Sequence, residues 1–360
     1  MTLEFIEELY SIGHRVSLYC EFYEKEFVDN AFDFELTVIT RSEDIDVLQY
    51  DVVYSHHQMP SRFILHQSKG WMHSRSRPVF IFNHLSPFEP FEFPGPFLEK
   101  QISDIVLCNS EETRNKMLEF DSFYDCSELF ENPSPASFEV KTVESDAKLD
   151  SLLVVTNHAP SELDEALDVL VQQDIVVTRV GHPHESRRLM PADINANSAV
   201  VTIGKSVQYA LRGKKPVYCY DHFGGPGWIC EENMRDAGIY NFSGRSCNNS
   251  LSPQKLADDI HIGYAKAAKF ASALDSNEID SYKLELRMDR LLSDVFPKLA
   301  KIRGGSKHST IFDDRNFIQQ AMHEKRLYEL VDRHYEGQLR YSIAYRKASQ
   351  RVHNLLQSKS

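Results

Sequence analysis

Residues 198–229 read Ser198-Ala-Val-Val-Thr-Ile-Gly-Lys-Ser-Val-Gln-Tyr-Ala-Leu-Arg-Gly-Lys-Lys-Pro-Val-Tyr-Cys-Tyr-Asp-His-Phe-Gly-Gly-Pro-Gly-Trp-Ile229. Ala199 to Ile203 is a short, β-branched apolar run, the composition of a parallel strand covered on both faces. At Gly204 the backbone can turn without a Cβ penalty. Ser206 to Arg212 is rich in helix formers, and Gly213 is placed to end that helix. Pro216 leads into a second strand, Val217 to Tyr220. The unpaired amides at the start of the Gly204 helix suit a phosphate. Asp221 to Gly227 then reads as a glycine-rich loop at the carboxyl end of a strand, where open parallel sheets bind ligands. An ordinary βαβ unit with a glycine turn has the same spacing. Packing alone does not call for a carboxylate, an imidazole and two aromatic residues beside three glycines, whereas ligand-facing loops use such mixtures.

The alternation extends outward in both directions. Towards the amino terminus, residues 3–14 read as an amphipathic helix ending at Gly13. Strands follow at Arg15 to Cys20, Glu35 to Thr40 and Asp51 to Ser55, then a helix at Ser61 to Gly70. A strongly apolar strand, Pro78 to Asn83, precedes a Pro/Phe/Glu loop from His84 to Pro96 and a helix from Phe97 to Ser103. Ile105 to Cys108 reads as a strand and Glu111 to Phe120 as a helix. Leu152 to Thr156, Glu162 to Gln172 and Ile175 to Val180 form a second strand–helix–strand series. Helices at Pro253 to Leu274 and Ile279 to Val295 close it. This is the pattern of parallel α/β domains. The expected organisation is a first domain over 1–132, a linker over 133–150 marked by Pro133 and Pro135, and a second domain over 151–275. A helix over 276–301 crosses back to the first domain. After the Gly304-Gly305-Ser306 joint, residues 302–360 form a helical extension.

Composition narrows the function classes. The 360-residue chain carries a net charge of -13, which argues against nucleic-acid binding. The charge is uneven: residues 296–360 hold 13 Lys/Arg against 6 Asp/Glu. The six cysteines form no C-x-x-C pair and read as buried free thiols of a reducing compartment. No apolar run reaches membrane-spanning length and no signal peptide opens the chain. A cytoplasmic protein is expected, with peripheral contact at the inner face of a cell membrane left open.

Several stretches resemble the GT-B glycosyltransferases, whose two Rossmann-like domains face a cleft. Ile105-Val-Leu-Cys-Asn-Ser-Glu-Glu-Thr-Arg114 looks like the last strand and helix of their first domain. Val79-Phe-Ile-Phe-Asn-His84 looks like the strand ending in a histidine that faces the donor sugar. Ser151-Leu-Leu-Val-Val-Thr-Asn-His158 resembles the strand opening the nucleotide domain, and Gly213-Lys-Lys-Pro-Val217 the G-x-P-V after the ribose-binding helix, with one extra residue. The likeness spans roughly residues 1–295. Within 198–229 it is closest to enzymes of bacterial surface polysaccharide synthesis. The fold it implies is α/β, two Rossmann-like domains facing a cleft (GT-B) with a C-terminal helical extension. The implied activity is sugar transfer from a nucleotide-sugar donor to a glycan or lipid-linked acceptor, without metal or cofactor. Three departures stand out. Neither register of the family's E-x7-E pair supplies a glutamate; Gln208 or Tyr209 falls at its second position. Asn157 and His158 replace the usual Arg and Lys after the first strand of the nucleotide domain. The usual first strand of the amino-terminal domain is also missing, because the chain opens directly in a helix.

Glycosyl transfer must neutralise a leaving diphosphate, hold the sugar and orient an acceptor hydroxyl. Gly204, Lys205 and Ser206 are the phosphate candidates, with Lys205 as the substitute charge. Gln208 offers an amide to a ribose hydroxyl. Asn157, His158, Gly224 and Gly225 complete the donor candidates, and His182 and His184 flank the expected base and ribose pocket. Asp221 and His222 are expected nearest the reacting sugar. His84 and Glu89 are catalytic candidates on the acceptor domain, with His57 and Glu92 on the acceptor side. Backbone-bonded histidines and a solvent loop with aromatic anchors are the plain alternatives for these. Asp44-Ile-Asp46 resembles a metal-binding D-x-D but reads as a solvated turn. In the carboxy-terminal helix, Leu327, Leu330, Val331, Tyr335, Leu339, Ile343 and Tyr345 point to self-association or packing on the body, with a basic face that suits anionic lipid. A nucleotide-sugar epimerase of the same fold and a non-catalytic partner subunit are the competing functions.

Overall fold

The computed structural model describes residues 1–20, 32–56, 59–68, 70–86, 96–140, 148–157, 159–184 and 187–305, with 318–319, 321–327, 329–330 and 333–334 of the extension. Its strands are β1 (Ser17–Tyr19), β2 (Thr37–Ile39), β3 (Val52–His56), β4 (Val79–His84), β5 (Ile105–Cys108), β6 (Glu128–Leu129), β7 (Ser151–Val155), β8 (Val176–Val180), β9 (Ala199–Thr202), β10 (Val217–Asp221) and β11 (Gly224–Trp228). Its α-helices are α1 (Thr2–Ser11), α2 (Pro60–Phe63), α3 (Pro96–Ile102), α4 (Glu111–Phe120), α5 (Ser161–Gln172), α6 (Pro191–Asn195), α7 (Lys205–Arg212), α8 (Met234–Ile239), α9 (Pro253–Ala273) and α10 (Leu284–Arg303).

The first sheet runs β3-β4-β5-β6, all parallel, while β1 and β2 form a parallel two-stranded pair of their own among the described residues. All six residues of β4 are buried, as its continuous Val-Phe-Ile-Phe run requires of a strand with both faces covered. Side-chain alternation sends Val79 and Ile81 to one face, against Phe5 of α1 and Leu284, Met288 and Leu291 of α10. Phe80 and Phe82 point the other way, to Trp71 and to Leu98 and Ile102 of α3. The returning helix α10 therefore completes the core of the first half.

The second sheet runs β11-β10-β9-β7-β8, and only β11 is antiparallel. The chain starts in β7, steps outward to β8, then returns past β7 to β9. The carboxyl ends of β7 and β9 thus flank the topological switch point where open α/β sheets take ligands.

The expected loop at 221–227 is a hairpin instead. Tyr218 lies opposite Trp228 and Cys219 opposite Gly227, with a bulge between Cys219 and Asp221. A Cβ on Gly225 would sit 1.9 Å from the Cys219 carbonyl oxygen, and one on Gly224 would sit 2.0 Å from that of Asn249. The Trp228 indole donates to the Asp259 and Ile260 carbonyls of α9 (3.3 and 3.2 Å) and covers Gly263. Gly224 and Gly225 admit close backbone contacts that a side chain would block.

Two other elements differ from expectation. Helix 61–70 is only α2 plus a 3₁₀ turn, because the Gln67 side chain binds the Ile45 and Phe63 carbonyls and the Val47 amide, all at 2.9 Å. Helix 279–295 is split at Lys283, where Ser134 donates to the Tyr282 carbonyl (2.7 Å) and accepts from Leu284 (3.0 Å). That exchange ties together the two segments that join the halves. Arg212, 2 % exposed at the end of α7, grips both segments. Its guanidinium donates to the Ser134 carbonyl (2.6 Å), Glu139 (3.0 Å) and Glu285 (2.9 Å). None of the six cysteines, all among the described residues, forms a disulfide. Cys108 and Cys219 are buried, but Cys126 and Cys247 are exposed, unlike the buried thiols expected. Among the described residues, no helix is long and apolar enough to cross a membrane.

Gly225 has no positive φ, so its substitution isolates the steric clash. Gly225→Ala is expected to cost about 1–3 kcal/mol, the range for overpacking. Urea denaturation at constant m-value measures it, and an unchanged midpoint contradicts the assignment.

Candidate functional site

The loops after β7 and β8 touch. Gly181 has φ +108°, and a Cβ there would lie 2.2 Å from the Thr156 carbonyl oxygen. The Asn157 side-chain oxygen accepts the His182 amide at 3.0 Å. Beside this contact a cavity of about 320 Å³ opens, lined by Asn157, Ala159, His182 and His184 and by the Arg179–Asp164 ion pair. The structure therefore gathers three residues singled out in the sequence, Asn157, His182 and His184. His158 lies outside the described residues.

At the neighbouring strand end, Gly204 caps α7 with φ +61°, and Ser206 is half-buried in the first turn. The Lys205 ammonium forms an ion pair with the carboxylate of Glu4 in α1, and the Tyr209 hydroxyl donates to that carboxylate's other oxygen. Glu4 is only 4 % exposed. Burial alone pushes its pKa up, but the Lys205 charge, the Met1 ammonium 3.5 Å away and the hydrogen bonds outweigh burial and hold it below the ordinary 4.5. Burial and Glu4 together push the Tyr209 phenol up, so that it stays a donor. Gln208 is turned back on its own helix, its amide donating to the Gly204 and Lys205 carbonyls (2.7 and 2.8 Å) in the orientation its surroundings require. Arg188 forks onto Glu7 of α1, with Nη1 to Oε1 at 2.6 Å.

Asp221 does not reach towards a cleft. It is 5 % exposed and accepts the amides of Phe223 (2.8 Å) and Gly244 (3.0 Å). A Cβ on Gly244 would lie 2.1 Å from the Gly224 carbonyl oxygen. The turn so held presents Arg245 to Glu112 in the first turn of α4, with Nε–Oε1 2.7 Å and Nη2–Oε2 2.6 Å. Asp221 thus organises this turn of the seam through the two amides it accepts. His222 is exposed at the hairpin turn, its ring 4.0 Å from that of Phe223.

In the first half, His84 ends β4 but is 1 % exposed. Its Nε2 bonds Glu99 at 2.8 Å, and fully buried Glu99 accepts from Tyr124 at 3.0 Å. The imidazole belongs to a buried polar chain at the end of β4. His57, Glu89 and Glu92 lie outside the described residues. Asp46 caps the Leu48 amide at 3.0 Å, a turn role for that D-x-D. In the extension, Ala321 is buried in the first-half core with Phe63 and Trp71, while Ile318, Met322, Leu327 and Leu330 are exposed. The other apolar positions named for this helix lie outside the described residues.

No family model and no curated protein matches the sequence significantly. Solved structures do match in fold. HepE of Anabaena in complex with UDP and glucose aligns with TM-score 0.53 and 14% identity, over 81% of this chain and 95% of that one. The same protein with UDP-glucose gives 0.53 and 16%, over 81% and 94%. The fold is GT-B. Sequence reading missed Glu4, Glu7, Glu112, Arg188 and Arg245, the residues that join the two halves. Their pairings span 133 to 201 residues, so no local spacing signals them.

A carboxylate whose native pKa is depressed stabilises the fold above its unfolded pKa, and that stability is lost as pH falls through the native value. Glu4→Gln is therefore expected to be less stable than the parent at pH 7, by about 2 kcal/mol for the loss of charge-assisted bonds. The gap should shrink as pH drops below 4.5. Urea melts across pH 3–7 test this, and a gap independent of pH contradicts it.

Proposed function

We propose that this protein is a glycosyltransferase of bacterial surface polysaccharide synthesis, moving a sugar from a nucleotide-sugar donor to a glycan or lipid-linked acceptor. The observation that carries the reading is the cavity beside Asn157, His182 and His184, next to the switch point of a GT-B second sheet. It is supported by the presence of UDP and UDP-glucose in the HepE structures that share the fold.

In this reading the base and ribose lie against His182, His184 and Asn157. The diphosphate lies at the first turn of α7, Gly204 to Ser206, where amides and the Lys205 ammonium face its charge. Those groups serve the leaving nucleoside diphosphate without a divalent metal. The bond from the anomeric carbon to the diphosphate oxygen breaks. The acceptor oxygen forms the new bond, and its proton passes to a base on the first half. Glu89, Glu92 and His57, which adjoin β4 and β3 in sequence, are the groups proposed to meet the acceptor.

Calorimetry with UDP, GDP, CDP and dTDP and their sugars, in the presence of EDTA, tests the reading. One nucleotide is expected to bind, and Asn157→Ala and His182→Ala each to weaken it about tenfold, the loss of a hydrogen bond to a charged or desolvated group. No binding, or unchanged binding by both variants, removes the assignment. Consumption of donor without acceptor would instead identify an epimerase.

A further inference from the structure

Lys205 is the cation that the proposed donor site needs, and it is already spent on a carboxylate of the other half. We propose that the Glu4–Lys205–Tyr209 contact is an autoinhibitory clasp, in which Glu4 holds the place of a donor phosphate and is exchanged for it on binding. The inference rests on the donor reading above.

Three observations carry it. The clasp lies at the carboxyl end of β9, on the ligand side of the switch point. Its charges match the ligand. Glu4 of α1 faces the Lys205 ammonium and, at 3.5 Å, the Met1 ammonium, so an incoming phosphate takes the place of one carboxylate among cations already present, while Glu7 stays in its fork with Arg188. The exchange must also be coupled. Lys205 is only 18% exposed at its side chain, and a buried charge left without a partner is costly. Glu4 therefore leaves only as another anion arrives.

The seam can open there without losing its register. Phe5 seats α1 on one face of the first sheet, whereas α4, which carries Glu112, packs on the opposite face through Met117. The Arg245–Glu112 fork thus holds the halves together on the face away from the clasp. Because Glu4 is held ionised by Lys205 and the Met1 ammonium, mild acid does not release it; a competing anion does.

The test is UDP titration of the full chain by calorimetry. Glu4→Gln, near-isosteric and uncharged, is expected to bind UDP at least about tenfold more tightly than the parent, the scale of one charge-assisted bond. Lys205→Met in that background should abolish the gain. Tyr209→Phe, which removes one hydrogen bond to Glu4 and leaves the charges alone, should give a smaller gain, about threefold. It carries the test if Glu4→Gln does not fold. Binding by Glu4→Gln alone, with none by the parent, also supports the clasp. Parental binding with unchanged or weaker affinity in the variants overturns the clasp and leaves the donor reading standing. If neither parent nor variants bind UDP, GDP, CDP or dTDP, both fall together.

Discussion

The enclosed guanidinium of Arg212 is the constraint on which the rest of the molecule hangs. It ends α7 in the second half and grips Ser134, Glu139 and Glu285, which belong to the two chain segments crossing between the halves. A buried cation of this kind is tolerated only when its donors are spent on fixed acceptors. Here the acceptors are the crossing segments themselves, so satisfying the charge sets where α7 lies. The other end of α7 then meets α1, and the Glu4–Lys205 pair follows from that placement. The stacked rings of Phe138 and Tyr209, with centroids 4.2 Å apart, fill the space between the two charged ends.

The seam is therefore polar and ionic, while each half keeps its own apolar core. Interfaces of this composition permit relative motion where a continuous apolar one would not. The chemistry of the seam also separates two kinds of acidic residue. Glu112 and Glu7 are paired with arginines through planar forks that fix geometry. Glu4 is paired with a lysine, whose compact ammonium imposes little direction on its partner and accepts another anion readily.

Much of the fold was legible in the chain because it rests on local composition. Ile105–Cys108 and Glu111–Phe120 fall on the expected boundaries, since a short apolar run and the Ser110 cap mark their limits. The hairpin at 221–228 was not legible. Glycine, proline and tryptophan serve a ligand loop and a close-packed edge strand equally well, and only the partners across the sheet decide between them. The site divides in the same way. Asn157, His182 and His184 could be found because they follow strand ends. Asp221 and His84 could be singled out, but the direction of each side chain was set by distant groups: the turn at Gly244 for Asp221, Glu99 for His84. The acids and bases of the seam have no local signature at all.

The chain has two tryptophans, and the fold assigns one to each half. Trp71 sits in the aromatic core beside Phe80, with ring centroids 5.5 Å apart, and Trp228 lies across α9 against Tyr218 and Tyr264. Replacing either by phenylalanine leaves a single indole whose emission reports on one half alone. The molecule thus carries its own pair of optical probes, able to distinguish halves that melt as one cooperative unit from halves that melt in turn.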